Sequence, residues 1–431
     1  MATTKLLQRS TVRFYFKNAD MDFIFQWILG NSKFGGLDPG EAFAIASRIT
    51  DGDPASWIEE FRIHGDRLRQ LSSELGRGGR LQSAGVTAMK AFHCYRAAAQ
   101  FGSPHDVEFA QLIELFKSSF RHGAELLKIP LEAVRIPFDG RYLPGYFLPA
   151  EQASRRAATL IIVGGADTYC EDLYALGGLA GHRRGYHTLM VDLPGQGDTP
   201  FQGLYFIPDY ERPVRTVVDH LLTNPNVDAS RIAMIGFSAG GYAVTRAVTR
   251  ERRIKACIAN TPVFDIGQLA LAEIPRALAG SSRRVSRALV RVMNAVNKAG
   301  AVNLEKFLWQ TGAESLDGLF ALLRAGTADP NEIECAYFSM VGEGDADEML
   351  RQAKRVHEAI KSPAKAYRLF TALEGAEAHC QVSNLTLLHQ EMYDWLDELF
   401  SDPRGESATT NHQRRSPPAR PDPSRPLPSR D

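Results

Sequence analysis

The chain has 431 residues, of which 44% are hydrophobic and 23% charged, and its 50 basic residues balance 50 acidic ones to a formal net charge of zero. This is the composition of a globular protein with a sizeable core, with neither the basic excess that binds nucleic acid nor an uncharged apolar run of membrane-spanning length. The five cysteines (Cys94, Cys170, Cys257, Cys335 and Cys380) are scattered and form no Cys-x-x-Cys pair. That pattern reads as reduced thiols, not as a disulfide framework or a metal site.

The N-terminal stretch MATTKLLQRSTVRFYFKNAD has no continuous apolar segment followed by a small-residue cleavage site, so no signal peptide is expected and the protein is read as cytoplasmic. Residues 1–128 read as a helical N-terminal lid domain. Asp53-Pro54 is a good cap and first-turn pair, and Trp57, Phe61, Leu68 and Leu71 follow at helical spacing. The Ala-rich SAGVTAMKAFHCYRAAAQFG ends at Gly102, and Ser103-Pro104 starts a further helix.

From residue 129 the pattern changes, and a second domain is expected over 129–400. EAVRIPFDGRYLPGYFLPA alternates and turns at Asp139-Gly140, as a hairpin does. AATLIIVGGAD, HTLMVDLPGQG, RIAMIGFS, IKACIANTP and IECAYFSMVGEGD are short apolar runs separated by helical stretches. Continuous apolar strands alternating with helices imply an α/β fold with a mostly parallel sheet covered on both faces. The interval at about 266–331 is too long for one crossover and reads as a helical insertion over the carboxyl edge of the sheet. Within it, Val285, Leu289, Val292 and Val296 share one helix face. Arg284, Arg287 and Arg291 share another, read as a solvated basic face or as a contact for a carrier-bound acyl group. Residues 401–431, rich in Pro, Ser and Arg, are expected to be a disordered tail.

In a chain with 36 glycines, a bare Gly-x-Ser-x-Gly carries little information. Here, however, the strand RIAMIG precedes Ser238 and the helix AGGYAVTRAV follows it, the setting in which a sharp turn exposes a serine hydroxyl. A strand-to-helix serine needs an acid and then a histidine further along. Asp345 follows Gly342 after a late strand, with Asp347 as the fallback, and His379 lies in a turn before the last amphipathic helix. The expected roles are Ser238 as nucleophile, His379 as base and Asp345 as the acid that orients it. The oxyanion hole is expected from the backbone N–H groups of Ala239 and of Ala166 or Gly165. Phe237, Asp265 and Tyr169 are candidate substrate-pocket residues, although Asp265 reads first as a helix cap or loop acid.

The set IIVGGAD, VDLPGQGD, IGFSAGGY, MVGEGD and EAHCQ resembles the α/β-hydrolase superfamily across residues 130–400. AMKAFHCYRAAAQF and AHCQ look like the subgroup that holds 2,6-dihydroxypseudooxynicotine hydrolase, fermentation-respiration switch esterase-like proteins and fungal polyketide-shortening hydrolases. The resemblance implies the α/β-hydrolase fold and carbon–carbon bond (retro-Claisen-type) hydrolysis of a bulky aromatic or polyketide-derived ketone. It also gives Asp265 a functional precedent, since the nicotine-degrading enzyme carries an essential acid in a comparable place. An esterase, thioesterase or acyltransferase is the alternative, and a hydrolase-fold binding protein is the alternative of another class. A bulky, mostly apolar ketone or ester is the expected small-molecule partner. No cofactor, metal, nucleic acid or membrane is expected, and a homodimer is left open.

Overall fold

The computed structural model describes residues 8–151, 156–273 and 297–401. Eight described strands form one sheet in the order β1-β2-β4-β3-β5-β6-β7-β8. Strands β1 (Glu132–Phe138) and β2 (Arg141–Leu148) are the expected hairpin. It turns at Asp139 and Gly140, whose φ values of 46° and 72° suit a tight two-residue turn. Strand β2 runs antiparallel to β4 (His187–Val191). The remaining pairs, among β3 (Ala157–Val163), β4, β5 (Val227–Phe237), β6 (Ala256–Asn260), β7 (Ala336–Gly342) and β8 (Lys365–Phe370), are parallel. Strand β8 was not legible in the sequence. It lies at the sheet edge and buries Ala366 and Phe370 among partly exposed or exposed Lys365, Tyr367, Arg368 and Leu369, so it lacks the continuous apolar run of the central strands.

The central strands alternate strictly between two cores. Leu160, Ile162, Ala233, Ile235 and Phe237 belong to one, and Ile161, Val163, Ile232 and Met234 belong to the other. The N-terminal helices extend the first of these cores. They are α1 (Ala19–Gly30), α2 (Pro39–Ala46), α3 (Pro54–Arg77), α4 (Leu81–Gln100) and α5 (Val107–Leu126). Trp57, Phe61, Met89, Phe92, Tyr95, Phe109 and Phe116 are all buried in it, together with the inner face of the sheet. Helix α1 escapes sequence reading because Met21 to Ile28 are buried without a break, leaving no polar face to mark a helical period.

These helices roof the carboxyl ends of the strands. Phe116 meets Tyr169 edge-on at 4.9 Å, and Phe120 meets Tyr146 and Tyr174 at 5.5 and 5.7 Å. Arg96 on α4 pairs with Asp172 at 2.8 Å, both nearly fully buried. Lys117 on α5 pairs with Asp198 at 2.6 Å.

Helices α6 (Leu179–Arg183), α7 (Glu211–Leu221) and α8 (Ala239–Val248) connect the strands, and an insertion between β6 and β7 adds α9 (Ile266–Glu273), α10 (Lys298–Thr311) and α11 (Leu316–Arg324). Its base is closed by an Asp265–Thr327 bridge and by the Ala328 N–H donating to Phe264 O at 2.8 Å. Its top docks on the roof. Trp309 packs on Phe109 at 5.9 Å, and Lys306 Nζ donates to Ala99 O at 2.9 Å. Burial pushes the Lys306 ammonium down to about 7. The basic stretch with Arg284, Arg287 and Arg291, its apolar partners Val285, Leu289, Val292 and Val296, and the tail beyond residue 401 lie outside the described residues.

Roof and body are thus joined through buried charge as well as apolar packing. Arg96→Leu leaves Asp172 buried without its cation. Denaturant unfolding should show a loss of about 3–5 kcal/mol, whereas Arg62→Leu, which breaks only exposed pairs with Glu108 and Asp66, should cost under about 1 kcal/mol.

Candidate active site

Strand β5 ends at Phe237 in the middle of the sheet, and helix α8 (Ala239–Val248) begins after Ser238 alone. The chain cannot turn from strand to helix so abruptly in a relaxed backbone, and Ser238 takes φ 54° and ψ −120°. Its N–H donates to Asn260 O on the adjacent strand β6 at 2.6 Å. Ser238 is partly exposed although Phe237 is buried. The turn needs glycine around it. A Cβ on Gly240 would lie 2.3 Å from Gly164 O, and one on Gly165 would lie 2.8 Å from Ser238 Cβ. The loop after β3 therefore passes directly against the serine, and the N–H of Ala239 is among the donors that the start of a helix leaves without an intrahelical acceptor.

That loop is held from several sides. Gln196 Nε2 donates to Gly164 O at 2.6 Å, and Thr168 Oγ1 donates to Gly165 O at 3.1 Å. Gln310 of the insertion donates to Ala166 O, and Arg96 of the roof donates to Asp167 O.

Asp345 sits in the turn after β7. Its Oδ2 accepts from the Gly342 N–H at 2.9 Å and from Thr261 Oγ1 at 3.3 Å. Its Oδ1 is hydrogen-bonded to His379 Nδ1. Asp347, the fallback, is exposed at the first position of helix α12 (Asp347–Ala359). His379 opens a short turn in which Cys380 and Gln381 both have positive φ, 56° and 50°. The turn is tied to the serine through one residue. Cys380 Sγ donates to Asn260 O at 3.4 Å, the same carbonyl that receives the Ser238 N–H. Asn260 Nδ2 also donates to Gln381 Oε1 at 2.7 Å. Burial alone would lower the His379 basicity, but the Asp345 carboxylate on Nδ1 opposes it and favours the charged imidazole, which is held above its ordinary value.

The candidate pocket residues lie elsewhere around this centre. Phe237 is 1% exposed and packs in the core shared with the roof. Tyr169 is buried against Phe116, with the Arg96 guanidinium 5.1 Å from its ring. Asp265 caps helix α9, its Oδ1 accepting from the Gln268 N–H at 2.7 Å. It also lines a separate hollow of about 680 Å³ with Gln268, Arg324, Thr327, Glu348 and Arg351. Asn260, Gln310 and Arg96 carry geometry that sequence reading missed. For Asn260 the available signal was a polar residue closing the apolar run ACIAN. Among the described residues no group of three or more His, Cys, Asp or Glu is placed to hold a metal ion, and no helix is long and apolar enough to cross a membrane.

A parallel sheet in this strand order, with a strained serine between its central strand and the next helix, defines a class of α/β enzyme. Residues 160–382 match the family model described as alpha/beta hydrolase family, and the chain belongs to that family. It is 28% identical over 424 residues to the alpha/beta hydrolase pydG of an Acremonium species, covering 89% of this chain and 97% of that one. It is 32% identical over 281 residues to the hydrolyase ccsE of Aspergillus clavatus, covering 60% and 64%. Among solved structures, 2,6-dihydroxy-pseudo-oxynicotine hydrolase aligns over 86% of this chain and 96% of its own, with a TM-score of 0.68 and 20% identity.

Two substitutions probe this geometry. Asp345→Asn removes the carboxylate on Nδ1, so the His379 ring protons, followed by NMR, should titrate at a lower pH than in the wild type. Gly165→Ala places a methyl group against Ser238 and should slow its reaction with a fluorophosphonate by about tenfold or more.

Proposed function

We propose that this α/β hydrolase is a serine hydrolase in which Ser238, His379 and Asp345 act as one unit on the carbonyl of a bulky aromatic or polyketide-derived substrate. The observation that carries the reading is the shared Asn260 carbonyl, which ties the strained Ser238 to the turn of an Asp-paired histidine. Ser238 Oγ attacks the carbonyl carbon while His379 takes its proton, and Asp345 stabilises the imidazolium. The developing oxyanion collects on the N–H groups of Ala239 and of the Gly165–Ala166 loop. His379 then returns the proton to the leaving group, and water releases the acyl group from Ser238 by the reverse sequence.

When the leaving group is an enolate, the proton goes to carbon and the bond broken is carbon–carbon, which is the reading preferred here. When it is an alkoxide, the same parts make an esterase. Support for a bulky apolar substrate comes from the roof. Phe109, Phe116 and Phe120 are buried against Trp309, Tyr169 and Tyr174, an apolar cover that would keep water from a substrate beneath it.

A fluorophosphonate should label the wild type and not Ser238→Ala. Ser238→Ala, His379→Ala and the double variant should each lose nearly the same turnover, because members of one unit are not additive. Multiplicative losses would break the unit. Products of large aromatic β-diketones and of matched esters, identified by mass spectrometry, decide the bond. Cleavage confined to short acetyl esters would overturn the proposed substrate class.

A further inference from the structure

The N-terminal residues ahead of α1 carry a role that the sequence does not announce. Residues 8–16 form neither helix nor strand, so their backbone donors need other acceptors. Two buried carboxylates supply them. Asp22 on α1 accepts from the N–H groups of Phe14, Tyr15 and Phe16 at 2.7–3.1 Å. Glu377, two residues before His379 and only 3% exposed, accepts from the N–H groups of Thr11 and Val12 and from the hydroxyls of Ser10 and Thr11.

The same segment touches the chemistry directly. The His379 N–H donates to Arg9 O at 2.7 Å. Gln8 Nε2 donates to Gly344 O at 3.3 Å, next to Asp345. The Arg9 guanidinium lies 4.2 Å over the Phe23 ring, pairs with Asp20 at 2.6 Å and approaches Asp167 at 3.7 Å, beside Ala166. Residues 8–12 therefore bracket the histidine turn and the acid turn while their own far end is fixed to the roof. The histidine turn has reason to need this, since Cys380 and Gln381 both hold positive φ without being glycine. Such a conformation persists only where its surroundings impose it.

We propose that residues 8–12 are a strap that sets the position of His379, and that Glu377 is the positioning residue through which the strap acts. This rests on His379 being the general base of the proposed reaction. The strap holds the imidazole against Asp345 and in reach of Ser238, and substrate binding does not depend on it. A displaced base costs turnover steeply, so the effect belongs in kcat and not in KM.

The test uses the full chain with p-nitrophenyl butyrate and a fluorophosphonate probe, at a temperature well below the melting point of each variant. Glu377→Ala should lower kcat and the labelling rate by about 10- to 100-fold with KM within about threefold. Glu377→Gln keeps one carbonyl acceptor and should recover part of that loss. Should Glu377→Ala fail to fold, the double variant Ser10→Ala/Thr11→Val loosens the strap from its other side and should show the same split. Variants that melt earlier yet turn over and label at wild-type rates would overturn the proposal, leaving the strap a structural tie. A wild type that neither labels nor turns over would remove the base itself, and the serine-hydrolase reading would fall with the strap.

Discussion

The backbone of Ser238, held at φ 54° and ψ −120°, is the constraint on which the rest of the structure depends. A non-glycine residue in that region is costly and survives only if its neighbours leave no alternative. The neighbours here come from four parts of the chain. Strand β6 accepts the Ser238 N–H through Asn260 O, and the loop after β3 lies against the serine side chain. Helix α8 fixes the exit, and the histidine turn grips Asn260 from the far side. Each contact is short, and each requires a small or specific residue. The Asn260 carbonyl that receives the strained Ser238 N–H also receives Cys380 in the turn of the Asp345-paired His379.

The roof contributes more than cover. It reaches the loop after β3 through Arg96 and the acid and histidine turns through residues 8–12. These joins use buried charge and backbone acceptors, whereas Phe109, Phe116 and Phe120 supply the apolar area. The division follows from the physics. Apolar burial is strong but non-directional, while a hydrogen-bonded carboxylate or guanidinium is costly to misplace in a dry interior. Aromatic packing therefore holds the roof down, while Arg96 ties it to the loop after β3 and Glu377 ties the residues ahead of α1 to the histidine turn.

Periodicity and turn chemistry made much of this legible beforehand. The apolar runs RIAMIG and ACIAN read as buried parallel strands because both of their faces are covered. Asp139-Gly140 marked the hairpin because only a few residues adopt the positive φ found there. Ser238, Asp345 and His379 were nominated by order along the chain, the first two by following a strand and His379 by its turn before the last helix. Asp265 could be a cap or a substrate contact on sequence grounds, and the structure has its carboxylate capping α9. Strand β8 and helix α1 were not legible. One is a half-exposed edge and the other is buried all round, so neither shows the alternation that pattern reading needs.

By itself, the order of residues determined the local elements, the sheet they build and the residue types available at its carboxyl edge. Those follow from interactions between neighbours in the chain, which are written at fixed spacings of two, three and four. Only the tertiary structure decided that Asn260 O would serve both Ser238 and Cys380, that Arg96 would hold Asp167, and that Glu377 would receive the backbone of residues 11 and 12. These contacts join residues 22 to 366 positions apart. No local period encodes them, because each is specified by where the whole sheet and roof bring two distant loops together.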